Sequence, residues 1–150
     1  GSVSSDMRVT VVPFATRVKI MCEHSTDKNK IETSLYNYEK ELCDVGGATS
    51  SEPFKAIEPL VKRSENPAYI IVLTDGAWYD IVEQEVAMAK KIATNYGAEI
   101  IAVGIGSADE KFLSRIATSK DFAIKTDVNK LGSSFNGIAQ AINQNNRTVR

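Results

Sequence analysis

The sequence has few residues of the kinds that build sulfur and imidazole metal sites, with two cysteines and one histidine among 150 residues. Cys22 and Cys43 do not form a CxxC motif, and only His24 could join them, so a zinc site of that type is disfavoured. We expect two buried free thiols rather than a disulfide. Together with the lack of a signal-peptide pattern, this predicts a cytoplasmic location.

Charge of one sign is also lacking, because 18 basic and 19 acidic residues leave a net charge of −1. This balance gives no electrostatic basis for binding nucleic acid or an anionic membrane surface, so neither is expected as a partner. No apolar run approaches the roughly 20 residues that a transmembrane helix requires. With 43% hydrophobic residues, the chain has the composition of one ordinary globular domain.

Hydrophobic periodicity switches between the patterns of strands and helices along the chain. Residues 8–15 (RVTVVPFA) and 69–74 (YIIVLT) are apolar runs typical of buried strands, whereas 17–22 (RVKIMC) alternates as a half-exposed edge strand does. The short link between 8–15 and 17–22 predicts a hairpin. Further strands are predicted over 99–103 and 122–125, and helices from Asp27 to Leu42, from Ser50 or Ser51 onward, and over 80–96, 109–118 and 131–142.

Several residues mark where the predicted helices begin and end. Asp27 and Asp109 are suited to cap helix N-termini, and Pro53 suits a first helical turn. Gly97 suits a left-handed C-terminal cap, and Pro59 is expected to kink or shorten its helix. The order of elements predicts an α/β fold with a mostly parallel sheet and helices on both faces. Ligand sites in such folds lie at the carboxyl ends of the strands.

Two loops at that expected edge carry oxygen ligands. Asp75 and Gly76 directly follow the predicted strand in YIIVLTDG, and Thr49 follows two glycines in VGGATSS. Carboxylate and hydroxyl oxygens from separate loops suit magnesium, manganese or calcium. Two simpler interpretations remain open, in which Asp75 caps a turn and Thr49 caps the following helix.

Five segments together resemble a von Willebrand factor A domain, the family that includes integrin inserted domains and many bacterial proteins. The segments occur in the family's order: RVTVVPFAT, VGGATSSEPF, YIIVLTDG, EIIAVGIG and FLSRIAT. The resemblance implies a doubly wound, mostly parallel sheet of strand order 3-2-1-4-5-6 with helices on both faces, and a metal-ion-dependent adhesion site, or MIDAS. In that site Thr49 and Asp75 would be ligands of Mg²⁺, or of Mn²⁺ or Ca²⁺. An open coordination position would then accept a carboxylate from a protein partner.

The sequence departs from the family at its start, because it contains no DxSxS motif and begins near the second strand. The central first strand would lie between the strands that hold Val11 and Val72. We expect residues 1–6 to be a cloning scar or linker, 7–143 to be the domain, incomplete at its N-terminus, and 144–150 to be a polar tail.

Three explanations of this departure remain open. The strand was omitted or cleaved, or it is supplied by a second chain or a strand-swapped homodimer, or the remaining strands have rearranged. Without DxSxS the metal would bind weakly or not at all, because two side-chain oxygens leave four positions of an octahedral ion to water.

Residues near the expected cation site could form a rim that contacts the partner. For Trp78, packing over a neighbouring helix is the alternative to an exposed position on this rim. Asp109, close to the rim in sequence, is expected to be a helix cap rather than a ligand. The predicted rim comprises Gly47, Ser50, Gly76, Trp78, Tyr79 and Ser107.

Enzymatic functions find less support in the sequence. Gly104-Ile105-Gly106 is half of a dinucleotide-binding motif without the third glycine, and no GxSxG motif is present. We therefore favour a non-enzymatic protein-interaction module. The alternatives are a phosphoryl-transfer enzyme that uses Asp75, for which the neighbouring carboxylates are missing, and a structural fragment without metal.

Overall fold

A computed structural model describes residues 8–12, 19–37, 52–65, 68–75, 78, 81–130, 132–138 and 140. Within these residues the strands are β1 (Val9–Val11), β2 (Cys22–Ser25), β3 (Tyr69–Thr74), β4 (Glu99–Ile105) and β5 (Ala123–Thr126). The helices are α1 (Lys28–Tyr36), α2 (Pro53–Lys62), α3 (Val82–Tyr96) and α4 (Glu110–Ile116), and residues 132–138 are also helical. Single 3₁₀ turns cover Lys120–Phe122 and Val128–Lys130.

The larger sheet consists of β3, β4 and β5 in that order, and all pairs are parallel. The register places Ile70 opposite Ile100 and Thr74 opposite Gly104. Each parallel pair is joined through a helix, α3 between β3 and β4 and α4 between β4 and β5. This arrangement confirms the predicted α/β class with a parallel sheet.

Helices pack on both faces of β4, as the sequence predicts. On one face, β4 residues Ile100 and Ala102 join a core cluster with side chains of α2, α3 and α4. On the other face, Ile101 and Val103 pack with Phe135 and Ile138 of the helical segment 132–138. β4 is therefore the buried strand of the sheet, which explains its almost uninterrupted apolar sequence.

The helix ends mostly follow the residues that predict them. Asp27 Oδ1 accepts a hydrogen bond from the Lys30 amide at 3.2 Å, and Asp109 Oδ1 accepts one from the Lys111 amide at 2.9 Å. Gly97 ends α3 with φ 64°, a left-handed conformation that glycine adopts without strain. The predicted shortening at Pro59 is wrong, because α2 continues through Pro59 to Lys62.

The smaller sheet pairs β1 with β2 in the antiparallel sense, as the hairpin prediction requires, but its second strand is displaced. Of the strand predicted over 17–22, residues 17 and 18 lie outside the described residues, 19–21 are not in a strand, and β2 begins at Cys22; Ile20 is 43% exposed. His24 lies within β2 and is half-buried. It has φ 46°, and its amide donates a hydrogen bond to Thr10 Oγ1 at 2.9 Å. The strand that pairs with β1 is therefore irregular, and it lies later in the chain than the alternating sequence 17–22 predicted.

β3 is less buried than its apolar sequence predicts. Ile71 is 42% exposed, although Ile101 beside it on β4 is 1% exposed. The prediction that helices cover both faces of β3 is therefore wrong at Ile71. Among the described residues β3 pairs with β4 alone, and no described strand lies between β1 and β3. The two sheets have the strand orders expected on either side of the family's central first strand.

Candidate functional site

The carboxyl ends of the three parallel strands meet at one edge of the larger sheet. Asp75 follows β3, Ser107 follows β4 after Gly106, and Asp127 follows β5. The registers Thr74 to Gly104 and Gly104 to Lys125 bring these ends to the same level. The three side chains are exposed, so this edge offers oxygen ligands to solvent where the sequence predicts a ligand site.

Asp75 differs from the other aspartates at helix and strand ends. Asp109 and Asp127 both accept hydrogen bonds from backbone amides two and three residues further along the chain. Asp75 is exposed and makes no hydrogen bond or ion pair with a described residue. Within the described part of the chain, its carboxylate therefore does not act as a cap and is open to a ligand.

The predicted metal and rim residues are only partly within the structure. Thr49, Gly47, Ser50, Gly76 and Tyr79 lie outside the described residues. No group of three or more histidine, cysteine, aspartate or glutamate side chains that could hold a metal occurs in the described part. Of the two predicted metal ligands the described residues thus include Asp75 alone, which is too few for an octahedral cation.

Trp78 lies in the core instead of on an exposed rim. Its side chain is 1% exposed, and its ring centroid lies 5.8 Å from that of Phe54 and 5.0 Å from that of Phe112. The indole Nε1 donates a hydrogen bond to Thr74 Oγ1 at 3.2 Å. The alternative prediction, packing over a neighbouring helix, is thus the one that the structure supports. Burying the large ring removes far more apolar surface from water than a rim position would.

Glu85 is a buried acidic residue that the sequence analysis did not single out. It is 1% exposed, and its Oε2 accepts a hydrogen bond from the Phe54 amide at 2.8 Å. Burial raises the pKa of Glu85 to about 7, against the opposing effect of that hydrogen bond; Glu52 raises this pKa further and Lys55 lowers it. A signal was available in the sequence, because Glu85 interrupts the apolar stripe of its helix next to Val86.

These contacts join the carboxyl end of β3 to the start of α2. Thr74 precedes Asp75 and accepts from Trp78, Trp78 packs on Phe54, and the Phe54 amide donates to Glu85. In the sequence, α2 begins four residues after Thr49. The carboxyl end of β3, which precedes Asp75, and the start of α2 are therefore connected through the core.

Ion pairs hold α3 against its neighbours on the surface. Arg115 of α4 pairs with Glu83 at 2.8 Å and lowers the pKa of that carboxyl, and Lys91 pairs with Glu58 of α2 at 3.3 Å. No helix in the described ranges is long and apolar enough to cross a bilayer.

A parallel sheet flanked by helices, with an open aspartate at its carboxyl edge, defines an α/β domain of the doubly wound type. The von Willebrand factor type A domain family matches residues 2–137. The chain therefore belongs to the von Willebrand factor type A domains, a family of protein-interaction modules, which confirms the resemblance drawn from its motifs.

Solved structures of proximal thread matrix protein 1 from the mussel byssus are similar in fold. One, described as having a zinc-occupied MIDAS motif, has a TM-score of 0.65 and 23% identity, and the match covers 80% of this chain. A second crystal form has a TM-score of 0.62 and 22% identity over 84% of the chain. The chain spans about a third of the length of these proteins, 32% and 34%.

Proposed function

We propose that this domain binds an acidic residue of a protein partner through a divalent cation at the carboxyl edge of the sheet. The observation that carries the proposal is the open carboxylate of Asp75 at the end of β3. A partner carboxylate cannot approach this aspartate directly without like-charge repulsion. A divalent cation between them would change that repulsion into attraction.

The ligand chemistry favours a cation that accepts oxygen ligands. Asp75 would supply a carboxylate oxygen and Thr49 a hydroxyl oxygen, which suits Mg²⁺, Mn²⁺ or Ca²⁺. Zinc belongs among the ions to test, because the similar mussel protein is described with a zinc-occupied MIDAS motif. Water, the partner's carboxylate and a segment that provides the missing DxSxS oxygens would complete the coordination.

We further propose that a strand from a second chain or from a strand-swapped copy pairs with the outer edge of β3. The exposed side chain of Ile71 in the middle of an apolar strand supports this proposal. An added strand would pair the edge and bury part of that surface. Native mass spectrometry tests it, since a dimer or a stable heteromer is expected, and a strictly monomeric chain at micromolar concentration contradicts it.

Calorimetric titration with Mn²⁺ and Mg²⁺ tests the cation site. Asp75→Ala should abolish binding, because it removes the open carboxylate. Asp121→Ala is the matched control, since Asp121 is also exposed but precedes β5 at the opposite edge, and this variant should bind as the wild type does. Binding that Asp75→Ala leaves unchanged, or that Asp121→Ala also abolishes, contradicts the proposal.

Incubation with acetyl phosphate separates this function from phosphoryl transfer. A binding module should show no change in intact mass after incubation with acetyl phosphate and Mg²⁺. A phosphoryl adduct that Asp75→Ala removes would instead assign the domain to phosphoryl transfer.

A further inference from the structure

Glu85 has a position that the proposed cation site does not require. It lies in α3, among the buried residues of that helix, and its carboxyl is directed at the N-terminus of α2. Carboxyl groups are rarely buried unless they are paired or bind a ligand. The burial of Glu85 therefore calls for a role in holding these two helices together.

Among the described residues of its own segment, the N-terminus of α2 finds no side-chain cap. Glu52, at the N-cap position, makes no side-chain capping hydrogen bond, and Pro53 has no amide hydrogen. Phe54 therefore presents the first amide of the helix, and it donates to Glu85, 31 residues further along the chain. A side chain from another helix thus caps this amide.

Among the described residues, no cation forms an ion pair with the Glu85 carboxyl. Glu52 and Lys55 of α2 act on it with opposite signs. On its own helix, Glu83 pairs with Arg115 of α4 and Lys91 pairs with Glu58 of α2. Among the described residues, the amide of Phe54 is the recorded hydrogen-bond partner of the Glu85 carboxyl.

We propose that Glu85 is a positioning residue whose proton-dependent hydrogen bond fixes the N-terminus of α2 against Trp78 and the carboxyl end of β3. In the ionised form its carboxylate accepts a charge-assisted hydrogen bond and lies at the favourable end of the helix dipole. That form also suffers the cost of a buried charge. In the protonated form the charge is absent and the cap is a weaker, neutral hydrogen bond.

Glu85 exchanges its proton within a pH range in which the folded protein can be measured. Burial raises the pKa of Glu85 to about 7. The two forms of the cap therefore exchange near neutral pH, where ordinary carboxyl groups are fully ionised.

Trp78 provides a direct readout of this cap. It is the only tryptophan of the chain, and it is 1% exposed. Its ring packs against Phe54, whose amide is the donor to Glu85. A shift of the first turn of α2 would therefore change the surroundings of the indole and its fluorescence.

The test records Trp78 emission between about pH 5 and pH 9 in the presence of a chelator. Wild-type protein should show one sigmoidal change with its midpoint near 7, and Glu85→Gln should show none, since its amide oxygen accepts the same hydrogen bond at every pH. Glu83→Gln loses the same charge from the surface of the same helix and should keep the transition. His24→Asn should also keep it, which removes the only histidine as the cause.

A transition that persists in Glu85→Gln, or that His24→Asn removes, overturns the proposal. Should Glu85→Gln not fold, carbon-detected NMR of the wild-type Glu85 carboxyl decides the question, and a midpoint below about 5.5 contradicts the proposal. The protection of the Phe54 amide against hydrogen exchange should change with pH, and the midpoint of that change should be the same as for Trp78 emission. Because the chelator removes divalent cations, failure of the cation site would leave these outcomes unchanged.

Discussion

Gly104 occupies a position in β4 where a single added methyl group should destabilise the fold. It is buried in the middle strand of the larger sheet, opposite Thr74 on one side and Lys125 on the other. A Cβ atom at this position would lie 2.5 Å from Leu113 Cδ1 and 2.7 Å from Ala108 Cβ, whereas ordinary contacts are 3.4–4 Å. The glycine therefore lets α4 pack directly onto β4.

The magnitude follows from which atoms can move. Leu113 is 1% exposed, so its side chain has little room to change rotamer. Ala108 contacts the site through its Cβ, and moving that atom requires moving the backbone that leads into α4. The sheet cannot shift either, because β4 is paired on both sides. We expect Gly104→Ala to lower the free energy of unfolding by about 1–3 kcal/mol, as overpacked cores do.

Urea denaturation followed by Trp78 fluorescence measures this change. Gly137→Ala is the control, because Gly137 is helical and a Cβ there would meet nothing within 4 Å. This control should raise stability by about 0.5–1 kcal/mol, the usual gain of alanine over glycine in a helix. A Gly104→Ala protein within about 0.5 kcal/mol of wild type would refute the reasoning, since surface substitutions without contacts have effects of that size.

Two further changes test the core beneath the candidate site. Because burial raises the pKa of Glu85 to about 7 from 4.5, the folded protein binds this proton more tightly than the unfolded chain does. The contribution of this proton to the free energy of unfolding is complete below pH 4.5, and it declines by at most about 3 kcal/mol as the pH rises through 7. Glu85→Gln should remove that slope in urea denaturation at pH 5 and 8, and an unchanged slope would contradict the assignment. Thr74→Val removes the hydroxyl that accepts from the Trp78 indole and should lower the free energy of unfolding by about 1 kcal/mol relative to Thr74→Ser. Equal stability of the two variants in thermal denaturation would show that this hydrogen bond contributes nothing.

Hydrophobic runs and capping residues in the sequence were sufficient to predict β3 and the start of α4. The apolar run 69–74 became β3 with the predicted bounds, and Asp109 caps α4 as expected. These features depend on residues a few positions apart, so a single sequence contains the information. The displaced β2 illustrates the limit, because its register depends on pairing with β1 and not on its own alternation.

Predictions about the site required distances that a sequence does not contain. Whether Trp78 forms a rim or packs inward depends on the space between Phe54 and Phe112, which come from two different helices. The role of Glu85 likewise depends on the uncapped start of α2, far from it in sequence. Asp75 stays a predicted site residue, and it could be singled out because topology alone predicts ligand sites at the carboxyl ends of parallel strands.

The strand that precedes Asp75 connects these observations. Its apolar residues face both sides of the sheet, yet Ile71 remains exposed beside the buried Ile101. If β3 were the true edge of the sheet, a polar residue at the position of Ile71 would be expected, because that side chain faces solvent. An apolar residue in the middle of an edge strand is the feature that natural sheets avoid, because it invites pairing. Asp75, with its open carboxylate, directly follows the strand that holds the exposed Ile71, so a segment that pairs with β3 would also end or begin beside the proposed cation site. Completion of the sheet and completion of the site are therefore expected to occur together.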